Sequence, residues 1–289
     1  METRVAFVGL GAMGMPLAGH LAKAGLLSAV WNRSVGKAQA AAKEFNVTAP
    51  EKLADIAPLA NVIVLCVSAD SDVLAVVNVL ATTLQRGSVI VDHSTVSSVT
   101  AHAAREIARK HGSDFIDAPV SGGVEGAKNG KLSVMVGGAS EALERVRPVL
   151  DCYAAKITHM GDIGAGQNTK AVNQVLVAGI AQAVCEGLAL GEKLGLDPDA
   201  MLPTLGAGAA GNWFLEKRGA TMLRNEFSVG FKLALLHKDL SIVRGLAEHA
   251  GVSHEVIDQS LADYATLMVL GHGDEDISAL IRLKRHDAP

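Results

Sequence analysis

Residues 4–14 read Arg-Val-Ala-Phe-Val-Gly-Leu-Gly-Ala-Met-Gly, and this stretch decides the fold of the first half of the chain. Residues 4–8 have the β-branched and aromatic composition of a short strand. The pattern Gly-x-Gly-x-x-Gly follows at once, where a helix is predicted to begin. In that setting the first glycine permits a tight turn, the second lets a pyrophosphate approach the backbone, and the third lets helix and strand pack closely.

The stretch therefore predicts a dinucleotide-binding loop, because the N-terminus of the following helix also favours negative charge. The alternative is a glycine-rich turn that serves packing alone. The expected cofactor contacts in the loop are Gly9, Leu10, Gly11, Ala12, Met13 and Gly14.

The end of the second predicted strand bears on the choice of cofactor. NAD-preferring sites usually carry Asp or Glu there, bonded to the ribose 2′-hydroxyl. This sequence has Asn32, Arg33 and Ser34 instead. Arg33 can stack on adenine and pair with a 2′-phosphate, and Ser34 can donate to that phosphate. The three residues favour NADP over NAD, with an ordinary surface arginine as the alternative for Arg33.

Composition limits the remaining possibilities. A length of 289 residues suggests about two domains, and 49% hydrophobic with 19% charged residues excludes wholesale disorder. The net charge of −4 and the 3% aromatic content give no pull toward nucleic acid or anionic membranes. Only residues 5–22 come near the ~18 apolar residues of a membrane span, and glycines interrupt them. No nucleic-acid or membrane partner is expected.

Cysteine and histidine usage argues against disulfides and metals. The three cysteines are far apart and form no CxxC pair, so reduced thiols in a cytoplasmic protein are expected. The ten histidines show no HExxH or similar spacing, so no metal site is expected.

The first half of the chain alternates short β-branched runs with helical patterns, which predicts a parallel sheet covered on both faces. Strands are predicted at residues 4–8, 28–31, 62–67, 88–91 and 115–117, more weakly at 133–136 and 156–159. Helices are predicted between them at residues 16–24, 35–45, 71–84 and 99–111.

The pattern changes near residue 161. Residues 165–194 contain no proline or strong turn signal, which predicts a helix of about 45 Å. Helical periods continue at residues 198–205, 213–223, 231–250 and 254–271, and the polar tail 282–289 is expected to fray. The predicted fold is α/β: a Rossmann-type parallel-sheet domain (1–160), then an all-α domain (161–289), joined by the long helix. Burial of that apolar helix against a second helical domain predicts a homodimer or homotetramer.

A second polar constellation lies at the start of the long helix. Lys170, Asn173 and Gln174 fall at i, i+3 and i+4, so all three project from one helix face. A lysine beside amides on an otherwise apolar helix suggests a polar site built on a rigid element. Taken alone, Lys170 also fits a solvated surface position.

At this point the sequence resembles the β-hydroxyacid dehydrogenase family, which includes 3-hydroxyisobutyrate dehydrogenases, tartronate semialdehyde reductases and glyoxylate/succinic semialdehyde reductases. Four patterns occur in the family's order, and they cover nearly the whole chain. They are the glycine loop, residues 115–127 (Phe-Ile-Asp-Ala-Pro-Val-Ser-Gly-Gly-Val-Glu-Gly-Ala), residues 164–174 (Gly-Ala-Gly-Gln-Asn-Thr-Lys-Ala-Val-Asn-Gln) and residues 231–240, with Lys-Asp-Leu at the end.

The resemblance implies a role for individual residues. Lys170 matches the catalytic lysine. Ser121, Gly122 and Gly123 match a loop that holds the substrate carboxylate through backbone N–H groups, and Asn173 matches an amide that helps to place the substrate. The implied cofactor contacts outside the nucleotide loop are Val67, in a turn that usually contains proline, Thr95 beside the nicotinamide, and Lys238 from the helical domain. Many relatives have a second asparagine where this chain has Gln174.

The implied activity is an NADP-dependent interconversion of a small 3-hydroxy acid and its semialdehyde, with the active site between the two domains. An imine reductase is the alternative enzyme, although such relatives usually lack a lysine at the position of Lys170. A non-enzymatic NADP-binding module is a third possibility, against which the Ser121-Gly122-Gly123 and Lys170 set argues.

Overall fold

Short runs of valine and isoleucine form the centre of a sheet in the first half of the chain. Strands β1, β3 and β4 are buried throughout, as expected for parallel strands covered on both faces. The five parallel strands are β1 (Val5–Val8), β2 (Leu27–Trp31), β3 (Val62–Leu65), β4 (Val89–Asp92) and β5 (Asp114–Asp117), paired in the order β2-β1-β3-β4-β5. The computed structural model describes residues 2–285 of the chain.

Alternate residues of each strand enter two separate hydrophobic layers. Val5 and Phe7 of β1 pack in one layer, and Ala6 and Val8 pack in the other. Helices α1 (Gly14–Lys23) and α2 (Val35–Phe45) contribute to the first layer, and α3 (Asp70–Ala81) and α4 (Ser98–Lys110) contribute to the second. A 3-10 helix, Leu53–Leu59, precedes β3.

The sheet continues beyond β5 with antiparallel pairing. Strand β7 (Leu132–Gly137) runs antiparallel to β5 and to the two-residue strand β6 (Val120–Ser121), and parallel to β8 (Ala154–Gly161). The strand–helix alternation predicts a parallel sheet and gives no sign of these antiparallel pairs. Helices α5 (Gly123–Lys128) and α6 (Ser140–Leu150) were not predicted, since α5 has six residues and α6 contains Pro148.

The second half is helical. Helix α7 (Ala165–Lys193) contributes Ala178, Ala181, Cys185 and Leu188 to a separate hydrophobic core. It is followed by α8 (Pro198–Ala207), α9 (Trp213–Leu223), α10 (Leu233–Ala250), α11 (Glu255–Val269), a 3-10 helix (Ile277–Leu280) and α12 (Ile281–Lys284). This order confirms the predicted fold class: a Rossmann-type parallel-sheet domain and then a helical domain, joined by the long helix.

The described residues divide into two compact units between Lys170 and Ala171, so the first turns of α7 belong to the first unit. By length and composition alone α7 could cross a membrane, whereas the expectation from the sequence singled out only residues 5–22. The same helix supplies one face of the core of the second unit.

The expectation of a frayed tail from residue 282 is wrong for its first part. Arg285 is 8% exposed and donates from Nε and Nη2 to Glu192 at 2.6 and 2.7 Å. Its Nη2 also donates to the Met222 carbonyl at 3.1 Å. A paired, buried arginine fixes this end of the chain to α7, and residues 286–289 lie outside the described part.

Candidate functional site

The predicted nucleotide loop lies at the point where the strand order reverses. From β1 the chain passes to β2 on one side and to β3 on the other, and ligands of doubly wound sheets bind at the carboxyl ends of such strands. Gly9 follows β1 with a φ of +98°, and a Cβ there would lie 2.1 Å from the Cys66 carbonyl oxygen after β3. A Cβ on Gly14 would lie 1.9 Å from the Gly9 carbonyl oxygen, whereas one on Gly11 would meet no atom within 4 Å.

The three glycines are therefore needed for different reasons, two for packing and one for access to the backbone. Gly9 and Gly14 permit the close approach of β1, β3 and α1, while Gly11 faces open space at the helix N-terminus. A pyrophosphate could approach the backbone at Gly11, and α1 has no acidic residue in its first turn to repel it. The residues present fit a bound dinucleotide.

The end of β2 supports the same loop. Asn32, expected to contact cofactor, accepts a hydrogen bond from the Leu10 N–H at 3.0 Å through its Oδ1. The Arg33 side chain is 88% exposed, and its Nη1 lies 3.4 Å from Asp72 Oδ1 in the first turn of α3. Ser34 precedes α2 without capping it through its side chain, and Lys37 stands in the first turn of α2, which has no acidic residue. Lys37 lies outside the motif that predicts the cofactor contacts.

The loops after β3 and β4 are hydrogen-bonded to each other and to α7. The Val67 N–H donates to Ser94 Oγ at 2.9 Å. On either side of Thr95, the Ser94 carbonyl accepts from Gln167 Nε2 at 2.8 Å and the Val96 N–H donates to Gln167 Oε1 at 3.2 Å. The predicted contacts Val67 and Thr95 thus lie on loops joined by Ser94 and Gln167.

Two buried carboxyl groups end neighbouring strands beneath these loops. Asp117 accepts from the N–H groups of Gly164 and Gln167 at 2.7 and 2.8 Å, and burial raises its pKa. Asp92 accepts from the Ser94 N–H at 2.9 Å, and its Oδ2 has no hydrogen-bond partner within residues 2–285. Burial raises the pKa of Asp92 to about 7, and the nearby Asp117 adds to the rise.

His93, between them in the chain, is a buried neutral histidine. Its Nδ1 lies 2.5 Å from the Ala118 carbonyl oxygen and its Nε2 lies 2.9 Å from the Tyr153 hydroxyl. A carbonyl oxygen can only accept, so Nδ1 carries the proton and Nε2 accepts from Tyr153. Burial lowers the pKa of His93 to about 4.

The predicted carboxylate loop forms a tight turn between β6 and α5. Gly122 and Gly123 have φ values of +132° and +61°, a backbone conformation in which two glycines carry no side-chain strain. Ser121 pairs with Ser133 of β7. Successive N–H groups in such turns can converge on an anion.

Lys170 lies in the second turn of α7 and is 7% exposed. That burial does not fit a solvated lysine on a helix surface. A lysine this buried is almost always paired with polar partners, so the alternative that the sequence left open for Lys170 is removed.

In the second unit, Gln174 and Asp239 join the predicted residues Asn173 and Lys238 in one polar chain. Asn173 Nδ2 donates to Gln174 Oε1 at 2.8 Å, and Gln174 Nε2 donates to Asp239 Oδ2 at 2.6 Å. Asp239 Oδ1 lies 2.8 Å from Lys238 Nζ. Gln174 and Asp239 are 1% and 3% exposed. Gln174 thus connects Asn173, the amide expected to place the substrate, through Asp239 to Lys238, the lysine expected to contact the cofactor.

The sequence motifs single out the residues that are expected to touch the ligands. They do not single out the residues whose hydrogen bonds hold those segments in place. Asp117, Gln167 and Asp239 stood inside the quoted segments without a role. A carboxylate at the end of a buried strand was the available signal for Asp117. Within residues 2–285, no group of three or more His, Cys, Asp or Glu side chains could hold a metal ion.

Comparison with known proteins identifies the family. Residues 4–161 match the NAD binding domain of 6-phosphogluconate dehydrogenase, and residues 164–284 match the family described as NAD-binding of NADP-dependent 3-hydroxyisobutyrate dehydrogenase. The 2-hydroxy-3-oxopropionate reductase of Escherichia coli is 35% identical over 83% of this chain and 82% of its own.

Solved structures of the same family are also similar to this chain. The 3-hydroxyisobutyrate dehydrogenase of Mycobacterium tuberculosis with L-serine has 31% identity and a TM-score of 0.88, covering 99% of this chain and 100% of its own. An imine reductase from Pseudomonas sp., at 20% identity and a TM-score of 0.66, covers 98% of this chain and 99% of its own and shows the fold alone. These matches and the nucleotide loop lead to one conclusion: the chain belongs to the β-hydroxyacid dehydrogenase family, and it is an NAD(P)-binding oxidoreductase that acts on CH–OH groups.

Proposed function

We propose that this enzyme interconverts a small 3-hydroxy acid and its semialdehyde with NADP as the cofactor. The observation that carries the proposal is the burial of Lys170, at 7% exposure, on a helix whose start is hydrogen-bonded to the loop after β4 and to Asp117 at the end of β5. Relatives named as 3-hydroxyisobutyrate dehydrogenase and 2-hydroxy-3-oxopropionate reductase support the substrate class.

The chemistry assigned to Lys170 follows from charge. Reduction of an aldehyde places negative charge on its oxygen, which an ammonium group can stabilise before delivering the proton. When bound, the nicotinamide supplies or accepts the hydride. Lys170 is the catalytic residue in this proposal, and Asn173, one helical turn on, orients the substrate.

The substrate carboxylate is assigned to Ser121, Gly122 and Gly123. The two positive-φ glycines turn the backbone sharply, so that its N–H groups can face an anion. Holding the carboxylate fixes the carbonyl carbon for attack, which is catalysis by positioning.

The preference for NADP rests on charge at the end of β2. Arg33 and Lys37 are the cations there, and neither residues 32–34 nor the first turn of α2 contains an acid. A 2′-phosphate would find charge-assisted partners, whereas a free 2′-hydroxyl would lack its usual carboxylate acceptor. The proposed cofactor set also includes Val67, Thr95 and Lys238, together with Asn32, Ser34 and the nucleotide loop.

We propose that residues 1–160 form the NAD(P)-binding domain, which also contains the carboxylate loop Ser121–Gly123. Residues 161–289 form the substrate and oligomerisation domain, which also contains the cofactor-contacting Lys238. Val172, Leu176 and Ile180 form an apolar stripe on α7 and are 61%, 61% and 38% exposed, and α8 has no buried residue. Such a face favours a homodimer or homotetramer through the helical unit. The three cysteines are far apart in the sequence and form no CxxC pair, which suits a cytoplasmic enzyme.

The test is oxidation of NADPH, followed at 340 nm, with a panel of semialdehydes, glyoxylate and cyclic imines. The proposal expects turnover with carboxylate-bearing aldehydes, and slower turnover when NADH replaces NADPH. Turnover of cyclic imines alone would instead establish the imine-reductase alternative. Cofactor binding without turnover of any compound would favour a non-enzymatic module.

A further inference from the structure

The buried side-chain amide of Gln167 contacts the backbone on both sides of Thr95, the residue predicted to lie beside the nicotinamide. Gln167 is 3% exposed, and its side chain uses both ends: Nε2 donates to the Ser94 carbonyl at 2.8 Å and Oε1 accepts from the Val96 N–H at 3.2 Å. Thr95 is the one residue between these two contacts. The backbone on both sides of Thr95 is therefore held by one side chain of α7.

The helix is itself fixed at the same place. Asp117, at the end of β5, accepts from the N–H groups of Gly164 and Gln167, which stand at the start of α7. The backbone between these two N–H groups is closely packed, because a Cβ on Gly166 would lie 2.4 Å from the Met135 carbonyl oxygen and 2.8 Å from Asp117 Oδ2. Lys170 follows Gln167 by three residues on the same helix face.

The contact extends to the loop after β3. Ser94, whose carbonyl meets Gln167, also accepts from the Val67 N–H through its hydroxyl at 2.9 Å. The loops of Val67 and Thr95 and the helix of Lys170 are thus linked within the first unit by direct hydrogen bonds. Buried polar groups that are hydrogen-bonded at both ends in this way specify one arrangement of the elements that they join.

We propose that Gln167 is a positioning residue for hydride transfer: with Asp117, it fixes the Thr95 loop relative to the catalytic Lys170. This rests on the proposed function, because it gives Thr95 and Lys170 their roles beside the nicotinamide and the substrate. Gln167 touches neither in this scheme. It acts through the backbone at Ser94 and Val96.

Replacement of Gln167 by leucine removes both contacts and leaves the Ser94 carbonyl and the Val96 N–H without them. The phosphates and the adenosine bind elsewhere, at the glycine loop and the end of β2, so NADPH affinity should change by no more than about threefold. Misplacement of reacting groups by an ångström can cost about a hundredfold in rate. We expect kcat to fall roughly ten- to a hundredfold. Gln182→Leu is the matched control, since Gln182 is an amide of the same helix that bonds Asp263 instead.

Gln167→Glu tests positioning without loss of shape. A protonated glutamic acid can donate to the Ser94 carbonyl and accept from the Val96 N–H, whereas a carboxylate cannot donate. Burial raises the pKa of a carboxyl group, so the variant should recover as the pH falls. Charged and titratable groups on the elements packed against this position include Asp70, Asp92, His93, His102, Asp117 and Lys170.

Three readouts decide the matter: the ratio of variant to wild-type kcat across pH, the Kd for NADPH, and the fluorescence enhancement of bound NADPH, which reports the seating of the nicotinamide without any substrate. The proposal expects the ratio of Gln167→Glu kcat to wild-type kcat to rise as the pH falls. It also expects a Kd for NADPH close to that of the wild type in both variants, and a smaller fluorescence enhancement of NADPH bound to Gln167→Leu.

The proposal is overturned by a near-normal kcat in Gln167→Leu, by a kcat ratio in Gln167→Glu that is low and independent of pH, or by a loss of NADPH affinity that explains the whole defect. If the wild type turns over no compound of the panel, the proposed function fails. The fluorescence result then still decides the positioning role.

Discussion

Replacement of Gly14 by alanine should destabilise the first unit, whereas the same replacement at Gly11 should leave it folded and weaken cofactor binding. The two glycines are three residues apart in one loop, so they are matched controls for each other. A Cβ on Gly14 would lie 1.9 Å from the Gly9 carbonyl oxygen and 3.0 Å from Phe7 Cε1, while one on Gly11 would meet nothing within 4 Å.

The magnitude follows from these distances. A methyl group at 1.9 Å from a backbone oxygen forces β1 and α1 apart, and overpacking of this kind typically costs about 1–3 kcal/mol of unfolding free energy, occasionally more. At roughly 2–4 °C per kcal/mol, the Tm of Gly14→Ala should fall by about 2–12 °C. A surface change such as Gly11→Ala should stay within about 0.5 kcal/mol of wild type.

Binding should show the reverse order of effects. The Gly11 methyl would occupy the space through which a pyrophosphate reaches the backbone. Loss of one charge-assisted hydrogen bond, about 1.5–3 kcal/mol, weakens binding by about ten- to a hundredfold. Thermal unfolding and an NADPH fluorescence titration measure both quantities on both variants. Equal losses of Tm, or unchanged NADPH affinity in Gly11→Ala, would refute this account of the loop.

Three further predictions concern charge. Arg33→Asp should weaken NADP binding about ten- to a hundredfold and NAD binding much less. Asp72→Asn should tighten NADP binding a few-fold, because it releases Arg33 from its exposed ion pair. Titrations with both cofactors measure these changes, and equal losses of NADP and NAD affinity in Arg33→Asp would contradict the prediction. Aldehydes that carry a carboxylate should exceed their amides or methyl esters in kcat/KM, and equal values would remove the proposed role of the Ser121–Gly123 turn. Burial raises the pKa of Asp92 to about 7, so the folded state holds a proton that the unfolded state loses near pH 4. The wild-type protein therefore loses stability as the pH rises from about 4 to 7, and Asp92→Asn should gain stability relative to it over that range. A difference in Tm between the two proteins that does not change with pH would contradict this prediction.

Much of the architecture was predictable because it follows from local pattern. The buried strands β1, β3 and β4 are runs of β-branched residues, and the glycine spacing placed the first turn. Helix α7 was visible as a long segment without proline or turn signals. The antiparallel strand β7 was not predictable in direction, because pairing depends on contacts distant in sequence rather than on composition.

The site divides in the same way. Residues implied to meet ligands, such as Lys170 and Asn173, lie in short motifs with fixed spacing. The residues that hold them in place are defined by partners far along the chain: Gln167 bonds Ser94, and Gln174 bonds Asp239, 65 positions away. No local pattern announces such partners. The end of the chain shows the same effect, since Arg285 has the polarity of a frayed tail and yet pairs with Glu192.

The most direct test of the central claim is steady-state kinetics of Lys170→Ala alongside an NADPH titration. The account predicts that kcat falls by about 10² to 10⁴, the usual contribution of one general acid–base group, while NADPH affinity hardly changes because the nucleotide loop is elsewhere. Lys170→Arg should also be poor, because a guanidinium does not readily give up a proton. Near-normal turnover of Lys170→Ala would contradict the account.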